Sequence, residues 1–244
     1  MIERIPTIIM VALLCQGHLF SQVIFVNGQS TAGAPDGSSW EMAFRGLEDA
    51  LAIAQYGDQI WMAKGTYRPP GTNGRDSRYE IPSGVQILGG FSGSEGQVSD
   101  RDFINNIVEL SGDIGIVGDP SDNCYTVVFL EDVDSTTTLD GLVIADGIAT
   151  FGDVLEPFKS PRTNGGGLYI GSNLIPSLPR VRNCTFRNCS AIRSGGAVFC
   201  AALDVAGRVG PRFVDCRFEA NTATERGGGL FISTGNQHDG APLN

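Results

Sequence analysis

Past residue 22, apolar positions fall mostly in short runs divided by Gly, Asn, Asp and Pro, and one stretch alone carries a helical period. The runs at 23–26, 60–63, 85–88, 108–110 and 125–130 predict strands. Ser38 followed three residues later by Glu41 reads as a capping box, and Phe44, Leu47, Leu51 and Ala54 share one helical face. Residues 41–55 are therefore the predicted amphipathic helix, with Gly57 ending it. Residues 64–67 read as a turn out of the second strand. The polar stretches 67–79 and 92–106 read as exposed loops.

The second half of the chain repeats itself. Gly165-Gly166-Gly167-Leu168-Tyr169 returns as Gly195-Gly196-Ala197-Val198-Phe199 and as Gly227-Gly228-Gly229-Leu230-Phe231. Between these runs, Val181, Phe186, Ala191 and Gly195 recur 32 residues later as Phe213, Phe218, Ala223 and Gly227. Four anchors moving in register indicate one supersecondary unit used again. An earlier, degenerate copy lies at 139–149, where Leu139, Ile144 and Ala149 precede Val181, Phe186 and Ala191 by 42 residues. The surplus residues are expected in an excursion at 152–163.

A helical repeat needs a 3.6-residue period, a leucine-rich repeat its leucine ladder, and a propeller blade four strands in about 40 residues. What remains is an all-β chain, a parallel β-helix in which equivalent residues stack about 4.8 Å apart. The Gly-Gly step is then the bend between one strand and the next. Cys184 and Cys216 share one repeat position and read as stacked small core residues, with a disulfide between them left open. Tyr169, Phe199 and Phe231 also share a position. They form either an outward strip for a sugar or protein, or a ladder packed inward or beneath a loop, the arrangement expected here.

Composition narrows the partners. A formal net charge of −10 without a Lys/Arg cluster argues against nucleic acid, which needs a basic footprint. Arg4 and the apolar run from Ile8 to Cys15 read as a signal peptide over 1–22, too short to span a bilayer. The β-helix domain is then 23–244, with no transmembrane helix in the mature chain, and it is placed outside the cell or at its outer surface.

Two stretches resemble known proteins. Ser39-Trp40 through the helix to Gly57-Asp58-Gln59-Ile60-Trp61-Met62-Ala63-Lys64-Gly65-Thr66-Tyr67 resembles the opening of secreted right-handed parallel β-helix proteins of the pectin-lyase-like superfamily. Gly195-Gly196-Ala197-Val198-Phe199 and the Phe-x-x-Asn-x-Ala unit at 218–223 are similar to the repeat of bacterial polymorphic outer-membrane proteins. Cys189 and Gly147 replace that Asn in the two earlier copies. The resemblance implies a right-handed β-helix with a capping helix, and a polysaccharide or a host or cell-surface protein as partner.

Catalysis is harder to find. Lyases of that superfamily imply clustered acids holding calcium and an arginine or lysine base. The candidates are Asp113, Asp119, Asp122, Glu131, Asp132 and Asp134, with Arg182, Arg187, Arg193 or Arg217 as base; none sits in a matching motif. The polygalacturonase motifs, a Gly-x-Ser-x-Gly elbow, a P-loop and His-Glu-x-x-His are all missing, and His238 lies in a polar tail. No catalytic or cofactor residue is assigned, and the metal site is left unknown, with calcium the one candidate ion. The expected function is an adhesive or carbohydrate-binding scaffold; the alternative is a lyase or glycoside hydrolase acting on an acidic polysaccharide such as pectate. Since solenoids normally end in a cap, the chain is expected to continue beyond Asn244 in a longer protein.

Overall fold

The computed structural model describes residues 21–152, 157–204 and 207–233. Most of the expected leader, part of the 152–163 excursion and His238 lie outside them. Within them the chain is predominantly β, and every strand pairing is parallel.

The strands form stacked parallel sheets. The first runs Val23–Val26, Gln59–Ala63, Gln86–Phe91, Thr138–Asp140, Arg180–Arg182, Arg212–Val214. The second runs Gly65–Tyr67, Val108–Ser111, Val143–Ala145, Thr185–Arg187, Arg217–Glu219. The third runs Tyr79–Glu80, Val128–Glu131, Leu168–Ser172, Val198–Ala202, Leu230–Ser233. A small fourth sheet joins Ile148–Ala149, Ser190–Ala191 and Thr222–Ala223. From Gln59 onward the chain visits the first, second and third sheets in the same order, entering the fourth between second and third from Ile148 on. This path is compatible with a β-helix.

The repeat columns are the pairing register. Leu139 pairs with Val181 and Val181 with Phe213; Ile144, Phe186 and Phe218 form the next column, and Ala149, Ala191 and Ala223 the third. The offset is 42 residues at Ala149 and Ala191 but 30 at Leu168 and Val198. The surplus therefore falls between Ala149 and Leu168, where the excursion is expected. Leu139, Ile144, Val181 and Phe186 are fully buried in one core, each removing apolar surface from water for about 1.5–3 kcal/mol.

Corners between strands need left-handed backbone. Gly141, Asn183 and Asp215 stand at one corner with φ of 72°, 50° and 52°, and Asp146, Asn188 and Ala220 at the next with 61°, 54° and 51°. Gly, Asn and Asp tolerate this region, which costs most other residues about 1–2 kcal/mol. Gly165, Gly195 and Gly227 supply a third corner at 67°, 63° and 59°, as the Gly-Gly reading expects.

Two local predictions are corrected. The helix is Leu47–Ile53, not 41–55. Phe44 cannot be helical because its N–H donates to the Phe25 carbonyl and its own carbonyl accepts from Asn27 N–H, at 2.9 and 2.8 Å. Gly46 is extended in the N-cap position, and the turn at 39–42 is held by Ser39, whose Oγ accepts from Met42 N–H. Leu47 and Ala50 still enter the main core, with Phe44, Leu51 and Ala54 packed against it. Gly65–Tyr67 is a strand of the second sheet rather than a turn, and Tyr79–Glu80 begins the third. Both are short strands held by the next coil's backbone, so they carry no period of their own.

Candidate functional site

The six candidate acids are not brought together. Asp113 accepts from Gly118 N–H and faces Arg68 at 3.8 Å. Asp119 accepts from Ser121 N–H, and Asp122 from Ile116 N–H at 2.8 Å. Asp132 gathers the N–H groups of Asn173, Leu174 and Ile175. Asp134 accepts from the Tyr56 hydroxyl at 2.8 Å and from Thr136 N–H. Partial burial, then the neighbouring Asp132, push the Glu131 carboxyl up. Asp113, Asp119, Asp122 and Asp134 thus tie their own loops by bonds to nearby backbone N–H groups, an ordinary use of Asp, while Asp132 ties its loop to a segment more distant in sequence. Among the described residues, no group of three or more His, Cys, Asp or Glu is placed to hold a metal.

The candidate bases are likewise engaged. Arg182 donates to Asp140 at 2.9 Å, Arg187 pairs with Glu109, and Arg217 lies 3.6 Å from Glu219. Arg193 sits over the Phe158 ring at 5.3 Å.

The aromatic column packs as a covered ladder. Phe129, Tyr169, Phe199 and Phe231 stack at 5.3, 5.4 and 5.7 Å between centroids. Period-2 alternation sends Leu168 and Ile170 to the main core and Tyr169 to the other face, where it joins a separate cluster with Phe199 and Leu203. Tyr169 and Phe199 are nonetheless buried, and the Tyr169 hydroxyl is held by the Lys159 carbonyl of the excursion loop. Cys184 and Cys216 are free thiols. Cys184 donates to the Arg182 carbonyl at 3.1 Å and Cys216 to that of Val181 at 3.4 Å. Burial pushes both thiols up, the opposite of a reactive cysteine.

A concave site lies elsewhere. The loop joining Gln86–Phe91 to Val108–Ser111 overhangs the corners of the coils that follow. Asp102 Oδ1 accepts from Ile104 and Asn105 N–H at 3.1 and 3.0 Å, locking the tip. Arg101 anchors the loop's base on buried Asp140 at 3.1 Å. Phe103, Ile104 and Ile107 form one wall, all three exposed. Gly141, Asn183 and Asp215, with Val143, Thr185 and Arg217, form the other. A Cβ at Gly141 would come within 3.1 Å of Phe103 Cβ, so the corner glycine lets the loop lie close. The groove holds about 460 Å³, within the usual range of ligand sites.

The polar wall has capacity to spare. Asn183 donates to Asp140 at 2.7 Å, leaving its carbonyl open, while the Asp215 carboxylate and Thr185 hydroxyl have no hydrogen-bond partner among the described residues. Such groups, on successive coils, can bind a hydroxylated ligand laid along the stack. The sequence marks 92–106 as an exposed excursion suited to recognition, and it supplies Phe103 and Ile104, but nothing in the sequence points to Ile107 or to the corner residues opposite, which come together only through stacking.

Among the described residues, no helix is long and apolar enough to cross a membrane. Comparison with protein-family models, curated proteins and solved structures finds no match to this chain.

Proposed function

We propose that this chain is a right-handed parallel β-helix of the pectin-lyase-like kind, exported to the cell surface or beyond, where it binds carbohydrate without transforming it. The observation that carries the reading is the groove of about 460 Å³ beneath the 92–107 loop, with an apolar wall facing the corner residues Gly141, Asn183 and Asp215. A linear polymer laid along the stack would meet these corners one after another. The non-catalytic half rests on the candidate acids, which stand apart on separate loops, and on the candidate arginines, three of which face other carboxylates.

The test is incubation of the protein with pectate, alginate, glycosaminoglycans and neutral glycans, with and without calcium. Retention of a glycan without turnover supports the reading. Unsaturated products absorbing in the ultraviolet, or new reducing ends, establish the lyase or hydrolase alternative instead.

A further inference from the structure

We infer that the groove selects neutral over acidic saccharides, and that Asp215 is the residue that sets this preference; the inference rests on the carbohydrate-binding reading above. The apolar wall, Phe103 and Ile104, suits the C–H face of a sugar ring. The opposite wall offers the Asn183 carbonyl, the Thr185 hydroxyl and the Asp215 carboxylate, all able to accept from hydroxyl groups on the ring's edge. A concave site with an apolar wall and a few placed polar groups is how proteins fix a small polar ligand's orientation.

Charge decides the class. A uronate carboxylate lying against this wall meets the unpartnered carboxylate of Asp215, and like charges brought together at an interface oppose binding. The cation that would offset this is Arg217, already 3.6 Å from Glu219 and largely in water. The chain's net charge of −10 adds long-range repulsion toward a polyanion. A neutral sugar meets none of these penalties, and its hydroxyls form charge-assisted hydrogen bonds with Asp215. The coil spacing of about 4.8 Å is close to the rise of one pyranose unit in an extended chain, so Asn183 and Asp215 address successive sugars.

Affinity electrophoresis in gels containing xylan, mannan or mixed-linkage β-glucan, against pectate and alginate, tests this. The wild type is expected to be retarded by at least one neutral glycan and not by the uronates. Asp215→Asn keeps a residue that tolerates the left-handed corner; it should weaken neutral-glycan binding about tenfold, the worth of one hydrogen bond to a charged group. Ile104→Asp, at a side chain 77% exposed, should abolish it without unfolding the protein, while Ile116→Asp, on another loop and 69% exposed, should leave it intact. Retardation by uronates alone, or an Asp215→Asn variant whose retardation by neutral glycans and by uronates matches wild type, overturns this inference and leaves carbohydrate binding standing. Retardation by no glycan overturns both.

Discussion

Arg182 donates to the same Asp140 oxygen as Arg101, at 2.9 and 3.1 Å, so one buried carboxylate ties a neighbouring coil to the base of the groove loop. Asp140 is 1% exposed, and Asn183 donates to its second oxygen at 2.7 Å. Removing the carboxylate leaves Arg101, mostly buried, without its counter-charge. Asp140→Ala should cost about 2–3 kcal/mol, less than a fully buried pair because Arg182 is half in water. Asp140→Asn, which keeps hydrogen-bonding capacity, should cost less. Urea denaturation measures both: equal losses would assign the whole cost to the charge that both variants lack, and an Asp140→Asn variant as stable as wild type would mean that charge is not the cause.

The same corner shows what sequence could and could not reveal. Leu139, Val181 and Phe213 were legible as a column because parallel in-register pairing places equal offsets side by side, and an offset is visible in sequence. Gly65–Tyr67 was not, since three residues have no period and their pairing partners at 108–110 lie in the next coil. The helix was overextended because its apolar face continued through Phe44, whose backbone the first strand had claimed. The groove depended on stacking: Phe103 and Asp215 line one groove only once the parallel sheets are stacked, and nothing local to either announces the other.

Ala220 occupies a corner where its columnar equivalents are Asp146 and Asn188, and it holds φ at 51°. Alanine has no side-chain polar group to compensate for the left-handed region. Ala220→Asn should therefore stabilise the protein by about 0.5–1 kcal/mol. Ala220→Gly should gain less, since glycine relieves the strain but gives the unfolded chain more freedom. Thermal unfolding of the two variants checks both the sign and the order.

Gly196 is needed for close approach. A Cβ there would lie 2.1 Å from the Thr222 carbonyl oxygen and 2.4 Å from that of Gly228, both backbone atoms of the neighbouring coil. Neither can withdraw without breaking pairing, so Gly196→Ala should cost more than about 2 kcal/mol. Gly33→Ala is the control: nothing lies within 4 Å of the place a Cβ would take, and the change should be neutral or slightly stabilising. Similar losses at both sites would remove steric contact as the explanation.

Glu95 gives the groove loop a pH dependence. Partial burial pushes its carboxyl up, but the N–H groups of Ser92 and Ser94 and the Ser92 hydroxyl outweigh this and hold it at about 2. The Glu95 carbonyl also accepts from the Trp40 indole at 2.9 Å, so the turn bears on the aromatic cluster of Trp40, Trp61 and Phe91. An unfolded glutamate titrates near ~4.3. A carboxyl depressed in the folded state contributes stability above that value and loses it as pH falls toward 2. The side chain is only partly buried and lies at the surface, so screening keeps the contribution to roughly 1 kcal/mol, or about 2–4 °C in Tm. Wild type should exceed Glu95→Gln by that margin at pH 7, and the gap should close between pH 4 and about 2. A gap that persists unchanged at the acid end would assign the effect to side-chain shape, since Gln and protonated Glu are both uncharged.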